Sequence, residues 1–376
     1  MRPRILHLPP GRCLAKVSRT TTRREKQHMQ THATYLVIGA GLAGCTCAYL
    51  LRKGGADVLL VERQRLEDKD KLCAGLITPR SIRLLQKIYG SASGTLFQSD
   101  FDSLRCLIGG RTVDVHGITM KSLDRADLDS FALSAYRSLG GRVVDGLTLR
   151  DVEPRRHEAQ GFFRGGEPFD VSFETVIAAD GALSTTRTML TGKRQELVLT
   201  LEAKIDAIRQ PLTFAYDGEW YGYSWYGPIG DHATIGCGCY AGPSALEEQL
   251  ASFAAQIGAS YGKLRGAYLP SGRDVLLEKD GCWFIGDAAG LISPISGEGI
   301  YYALFSAKQL VRSLENHASY PAMMSKARAD VERQYRGRGL FFSERLIDAI
   351  LGATAPSPSA QEAAVKCALR FAGYEC

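Results

Sequence analysis

Three glycines and one carboxylate are the first residues in this chain whose spacing points to chemistry. Gly39, Gly41 and Gly44 form G-x-G-x-x-G, with Ala40, Leu42 and Ala43 between them, and Glu62 follows 23 residues after Gly39. In such a loop the first glycine permits a tight turn and the second lets backbone approach a pyrophosphate. The third lets a helix pack closely on the preceding strand. The helix that starts near Leu42 offers free N–H groups and a partial positive charge to phosphates. A carboxylate at position 62, with Arg63 beside it, is placed to take the ribose hydroxyls. Glycine turns are common, so the weight rests on the two flanking strands and the acid together. Alone, these residues fit NAD as well as FAD.

Two later segments separate the cofactors. Ala178-Ala179-Asp180-Gly181-Ala182, with Ser184 and Arg187 after it, is one; Gly286-Asp287-Ala288-Ala289-Gly290, followed by Pro294 and Gly297-Glu298-Gly299-Ile300, is the other. Together with the glycine loop they resemble the flavoprotein monooxygenase and reductase superfamily. The resemblance implies FAD, with Asp287 on the ribityl chain or ribose and the following helix aimed at the isoalloxazine. Physical chemistry agrees, since a helix N-terminus stabilises a reduced, anionic ring and small residues let backbone approach closely. An ordinary strand-ending turn is the alternative reading of Asp287.

More narrowly, the chain resembles the geranylgeranyl reductase family, including its CbrA-like bacterial branch, over roughly residues 34–315. The resemblance rests on Lys71-Leu72-Cys73-Ala74-Gly75-Leu76, on Arg125-Ala126-Asp127-Leu128-Asp129, and on Tyr223-Ser224-Trp225 with Pro228 and Ile235-Gly236-Cys237-Gly238. It implies that Cys73, Ala74, Gly75 and Arg125 lie beside the flavin and that Tyr223 and Trp225 line the substrate cavity. The family commonly has an aromatic residue just before the proline, where this chain has Gly227. A wider cavity or a bulkier substrate is therefore expected. Packing is the alternative role for each residue: Cys73 in a turn, Tyr223 and Trp225 as a core stripe, Arg125 as a solvated charge.

The activity implied is reduction of carbon–carbon double bonds in an isoprenoid or other large apolar small molecule or lipid, by hydride from reduced flavin. No Asp, Glu or His in the two family segments stands out as a general acid, so Tyr223 or Cys73 is the expected proton source. A monooxygenase or hydroxylase on the same scaffold is one alternative, and a non-catalytic flavin redox sensor is another. The Trp-x-Trp-x-Ile-Pro segment of halogenase-like relatives does not occur. There is no second G-x-G-x-x-G, so NAD(P)H is expected to bind transiently, or a ferredoxin-type donor protein to supply electrons.

The elements that must hold these residues follow from the apolar pattern. Thr34–Ile38, a helix through Leu51 and Asp57–Val61 make a βαβ unit. Helices are expected at 78–89, with Thr78 as cap and Pro79 at its first position, and at Arg125–Leu139. Strands are expected at Arg142–Val144, Val171–Ala179 and Cys282–Ile285, and antiparallel structure across Val198–Cys239. A helix over 299–314 leads to a second, continuous one over 322–350 and a Pro/Ser linker before a short last helix. The fold class is α/β: a Rossmann-type FAD-binding domain with an inserted antiparallel β-rich substrate domain. Residues 1–33 read as a disordered basic leader, 34–95, 121–195 and 273–320 as the discontinuous FAD-binding domain. Residues 96–120 and 196–272 read as the substrate domain and 321–376 as a C-terminal helical region.

Charge and composition narrow the function classes. Residues 1–33 hold eight of the 46 basic residues and one of the 40 acidic ones, which leaves 38 basic against 39 acidic in the remainder. A near-neutral body offers no case for nucleic acid. Among the ten cysteines, Cys45/Cys47 and Cys237/Cys239 are C-x-C pairs without the second ligand pair that zinc needs, so no metal site is expected. Free cysteines at apolar positions fit a reducing, cytoplasmic compartment. No apolar run reaches the roughly twenty residues of a membrane span. The C-terminal mixture of Arg with Leu, Phe and Ile fits packing on the fold, with peripheral contact to a membrane surface as the alternative.

Overall fold

The computed structural model describes residues 29–217, 222–240 and 242–375. The expected basic leader thus lies largely outside the described residues, although its last five residues belong to the first strand. That strand, β1 (Met29–Ile38), starts earlier than the apolar run suggests because a long partner extends alongside it. It leads through α1 (Leu42–Lys53) to β2 (Val58–Val61), which pairs parallel from Tyr35↔Val58 to Ile38↔Val61. Leu36, Val37 and Leu60 are fully buried, as strands covered on both faces require. Each such side chain contributes about 1.5–3 kcal/mol of transfer free energy.

The chain then leaves this sheet through β3 (Leu76–Ile77) and α2 (Pro79–Tyr89), and builds the hairpin β4 (Ser99–Ile108) and β5 (Arg111–Ser122). It returns through α3 (Arg125–Ser138), capped by Asp124, to β6 (Arg142–Val144) beside β2. A hairpin of β7 (Leu147–Glu153) and β8 (Glu158–Phe163) follows, and then β9 (Pro168–Ala178), which pairs parallel with β1. The hairpin is invisible in the sequence reading because its charged residues mask the alternation of apolar positions. After α4 (Thr185–Thr191) the chain crosses again to β10 (Leu197–Asp206), β11 (Thr213–Asp217), β12 (Gly222–Ile229) and β13 (His232–Cys239). Helix α5 (Pro243–Ile257) covers these strands from behind, and β14 (Arg265–Pro270) adds to β10. The chain rejoins the first sheet at β15 (Glu278–Lys279) and β16 (Cys282–Phe284). It ends in α6 (Ile300–Glu315), α7 (Tyr320–Met323), α8 (Ser325–Phe341), α9 (Glu344–Thr354) and α10 (Pro358–Phe371).

Two sheets result. The first runs β15-β16-β9-β1-β2-β6, with β8 and β7 added through β9. The second runs β14-β10-β13-β12-β11-β4-β5-β3. It is not purely antiparallel as expected, because β11 pairs parallel with β4 where the two separate excursions of the chain meet. The expected continuous helix over 322–350 is broken at Met324 and at Phe342. Both side chains are almost fully buried, and the chain turns at each to bury them. The Pro/Ser stretch is a helix start rather than a linker, since Ser357 caps α10 through its hydroxyl and Pro358 opens it.

Candidate active site

The first glycine has a φ of +105°, and a Cβ there would lie 2.5 Å from the Ala179 carbonyl oxygen. A Cβ at Gly44 would lie 1.9 Å from the Gly39 carbonyl oxygen, so α1 could not close onto the turn. A Cβ at Gly41 would meet nothing within 4 Å. This open space faces the central cavity, where a pyrophosphate can approach the N-terminus of α1. At the end of β2, Glu62 accepts from the Ala40 and Gln64 backbone N–H groups and from Lys69 Nζ, each at 2.9 Å. Burial pushes the Glu62 pKa up, but Lys69 and these hydrogen bonds outweigh it and hold it below the ordinary value. The carboxylate is therefore ionised and ready to accept from hydroxyls.

Opposite this loop, Asp180 spends its oxygens on α4. One accepts from Ser184 Oγ at 2.5 Å and the other from the Thr186 N–H at 3.0 Å. Arg187 and Gln195 then bind the two distant segments together. Arg187 donates to the Ala288 and Asp274 carbonyls, and Gln195 donates to the Ala182 and Asp287 carbonyls at 2.7 and 2.9 Å. Asp287 pairs with Lys71 at 2.9 Å. Burial raises its pKa, but Lys71 and then Arg125 lower it further, so it too is ionised. Arg125 is buried and pairs with Asp129 at 3.0 Å. Desolvation opposes its charge, yet the surrounding acids, Asp129 first, raise its pKa and keep it cationic.

The loop before α6 is held in place by Glu298. It accepts from Arg80 Nε and Ser81 Oγ at 2.8 Å each, and also from Thr78 Oγ1. Gly299 and Ile300, at the start of α6, thereby face the cavity with free N–H groups. On the far side, Tyr223 donates to the Ser296 carbonyl at 2.6 Å. Its ring packs with Phe214, Tyr216 and Trp225 at centroid distances of 5.6, 5.7 and 6.0 Å. Tyr374, near the end of the chain, packs on Phe214 at 6.0 Å and lines the same space as Phe342.

One continuous cavity of about 710 Å³ connects these parts. It brings together Gly39, Gly41, Leu42, Ala43, Glu62, Arg63, Cys73, Ala74, Arg125, Asp180, Gly181, Tyr223, Trp225, Asp287, Gly297, Gly299 and Ile300. Gly44, Gly75 and Gly286 do not line it. Their glycine character serves packing against Gly39, Leu123 and Ala43 respectively. Gly227 does not widen the cavity as expected. A Cβ there would already sit 3.4 Å from the Ala74 carbonyl and Thr234 Oγ1 and 3.5 Å from Leu76 Cδ2, so the Cys73–Leu76 segment fills that space. Lys71 entered the sequence analysis only as part of the family segment, and Lys69, Glu202, Tyr374 and Phe342 were missed; all five line the cavity. Of the four missed residues only Glu202 carried a signal: a carboxylate at an alternating position within the apolar part of its strand.

Open backbone at Gly41, an ionised Glu62, a helix N-terminus at Ile300 and a connecting cavity together fit an FAD. Comparison with known proteins agrees. Residues 34–94 match the family described as FAD dependent oxidoreductase (DAO). Over 335 residues the chain is 28% identical to a geranylgeranyl diphosphate reductase of Rhodobacter capsulatus, covering 80% of each chain. Over 310 residues it is 29% identical to a menaquinone reductase of Mycolicibacterium smegmatis, covering 73% of this chain and 75% of the relative. In fold it is similar to a geranylgeranyl bacteriochlorophyll reductase-like protein of Thermoplasma acidophilum. There the TM-score is 0.72 at 21% identity, over 90% of this chain and 96% of that one. The protein is an FAD-dependent oxidoreductase with a Rossmann-type nucleotide-binding fold. Within that class, geranylgeranyl reductases are among its homologues.

Proposed function

We propose that this oxidoreductase reduces carbon–carbon double bonds in a large apolar substrate of isoprenoid type. The observation that carries the reading is the continuity of the cavity. It runs from the glycine loop, past Cys73, to a wall built from Phe214, Tyr223, Trp225, Phe342 and Tyr374. Such a wall suits a chain of apolar, unsaturated units and offers few polar groups to a small polar substrate. The names of two relatives, a geranylgeranyl diphosphate reductase and a menaquinone reductase, support the same substrate class.

In this reading Gly41, Glu62, Asp287 and the start of α6 hold the FAD, which when reduced supplies hydride. The first sheet is the cofactor half of the molecule and the second is the substrate half. Arg125 and the α6 N-terminus both line the cavity, and positive potential there would favour a reduced, anionic flavin. Cys73 and Ala74 form the ledge between cofactor and substrate, while Tyr223 is fixed to the Ser296 carbonyl and shapes the wall. The aromatic wall excludes water from the reacting atoms. Electrons come from NAD(P)H or from a ferredoxin-type protein. No helix among the described residues is long and apolar enough to cross a membrane.

The test is anaerobic single turnover. FAD-loaded protein is reduced with dithionite and mixed with geranylgeranyl diphosphate or a menaquinone. Return of the oxidised-flavin absorbance with one of these, in step with a hydrogenated product, is the expected result. Flavin that stays reduced in the presence of both would rule the proposal out.

A further inference from the structure

We infer that Glu202 is the proton donor of the reduction, handing its carboxyl proton to the substrate carbon that does not receive hydride. This rests on the proposed reduction, and it begins from the alternation of β10. Leu199, Leu201 and Ala203 pack beneath α5 with Leu246, Leu250 and Phe253. Val198, Thr200 and Glu202 therefore turn the other way, and all three line the cavity. Glu202 is 3% exposed.

The neighbouring strands clear a space in front of it. Glu202 pairs with Gly236 of β13, which in turn pairs with Trp225 of β12. A Cβ at Gly236 would sit 2.3 Å from Trp225 Cζ2 and 2.7 Å from Cε2. The indole thus lies over Gly236, along the line toward Glu202. Trp225 is 6% exposed, and its Nε1 has no hydrogen-bond partner among the described residues. A buried N–H left unsatisfied costs about 1–3 kcal/mol. An acceptor in the cavity, such as a π-face or an oxygen of the substrate, relieves that cost. Trp225 then orients the substrate beside the carboxyl.

The charged groups around Glu202 are committed elsewhere. Lys204, on the same strand, pairs with Asp124, and Arg265 of β14 pairs with Asp70. Lys71 pairs with Asp287 and Arg125 with Asp129. Glu202 itself has no ion pair among the described residues. Burial pushes its pKa up to about 7, against smaller lowering effects of the Cys73 backbone N–H, Lys204 and Arg265, while Asp70 adds to the rise. At neutral pH a substantial fraction of the carboxyl holds its proton. Behind it lies a cleft of about 10 Å³ bordered by Asp70, Lys71, Cys73, Asp124, Arg125, Lys204 and Arg265. That is room for one water, next to the half-exposed Asp70 and Arg265, and it gives the spent carboxylate a route to a new proton.

The step balances. One olefin carbon gains hydride from the reduced cofactor, and the π electrons take the proton from the Glu202 O–H at the other carbon. The π bond and the O–H bond break, two C–H bonds form, and the cofactor is left two electrons oxidised. A nicotinamide or ferredoxin-type reductant restores it, and water in the cleft reprotonates the carboxylate.

The experiment compares wild type with Glu202→Gln, which keeps an acceptor for the Cys73 N–H, and Glu202→Asp, which keeps the acid. Each is loaded with FAD, reduced anaerobically and mixed with geranylgeranyl diphosphate or a menaquinone. The expected result is that Glu202→Gln binds FAD stoichiometrically but reoxidises at least about 100-fold more slowly, with partial rescue in Glu202→Asp. The wild-type rate should fall as pH rises through about 7, and Glu202→Gln should lack that limb. Infrared titration of the FAD-free protein should show a protonated carboxyl band that disappears near pH 7 and is missing in Glu202→Gln. If wild type turns over and Glu202→Gln matches it in rate and pH profile, the role of Glu202 is wrong and the reductase reading stands. If wild type reduces neither probe, both fall together.

Discussion

A methyl group added at position 41 and one added at position 44 meet opposite surroundings, although both positions belong to the same glycine motif. At Gly41 it projects into open cavity, whereas at Gly44 it collides with the Gly39 carbonyl oxygen. Gly41→Ala should therefore leave the stability of the FAD-free protein nearly unchanged, within about 0.5 kcal/mol, while weakening FAD binding. Gly44→Ala should lower stability by more than about 2 kcal/mol. Thermal unfolding and FAD titration on both variants separate the two roles, and equal losses of stability would contradict them. This division was legible in the residues, because each glycine of the motif has its own mechanical task. Asp180 was only half legible. Its position beside Gly181 is recognisable, yet both oxygens serve α4. Glu202 left only the trace of a carboxylate in an apolar strand, because its character comes from cations that tertiary contacts pair with other acids.

Among the elements, those with strong local signals came through the sequence clearly: β1–α1–β2, α2 with its Pro79, and α3 with its Asp124 cap. Elements set by distant partners did not. The hairpin β7–β8 depends on β9, and the breaks around α8 depend on burying Met324 and Phe342. The loop that presents α6 to the cavity also depends on a distant partner, since Glu298 reaches back to Arg80 and Ser81 on α2 and to Thr78 just before it. The Arg80 and Glu298 side chains are only 17% and 9% exposed, and Arg80 lies 4.3 Å over the Tyr301 ring. Removing one partner of a buried pair strands the other charge. Arg80→Met should cost about 3 kcal/mol or more in chemical denaturation. It should also loosen FAD binding, because Gly299 and Ile300 lose their anchor. A variant with unchanged stability and affinity would show that the pair does not hold the loop.

In the whole molecule, the cavity of about 710 Å³ is lined from both sheets, and the second sheet brings the buried Glu202 to it. That acid couples function to global stability. Glu202 titrates near 7 when folded against an ordinary value of 4.5. Below about 4.5 both folded and unfolded chains hold the proton. As pH rises toward 7 the unfolded chain releases it first, so folding becomes less favourable, by up to about 3 kcal/mol. Glu202→Gln should therefore raise the unfolding temperature at pH 8 and have little effect at pH 4.5. A difference that does not change with pH would refute the shifted carboxyl.

The mass of the product tests most directly which chemistry the cavity supports. FAD-loaded protein is reduced anaerobically, mixed with geranylgeranyl diphosphate and then opened to air. A gain of two hydrogens for each double bond consumed, complete before air enters, is the predicted outcome. A gain of one oxygen atom, appearing only after air enters, would contradict it and make the protein a monooxygenase.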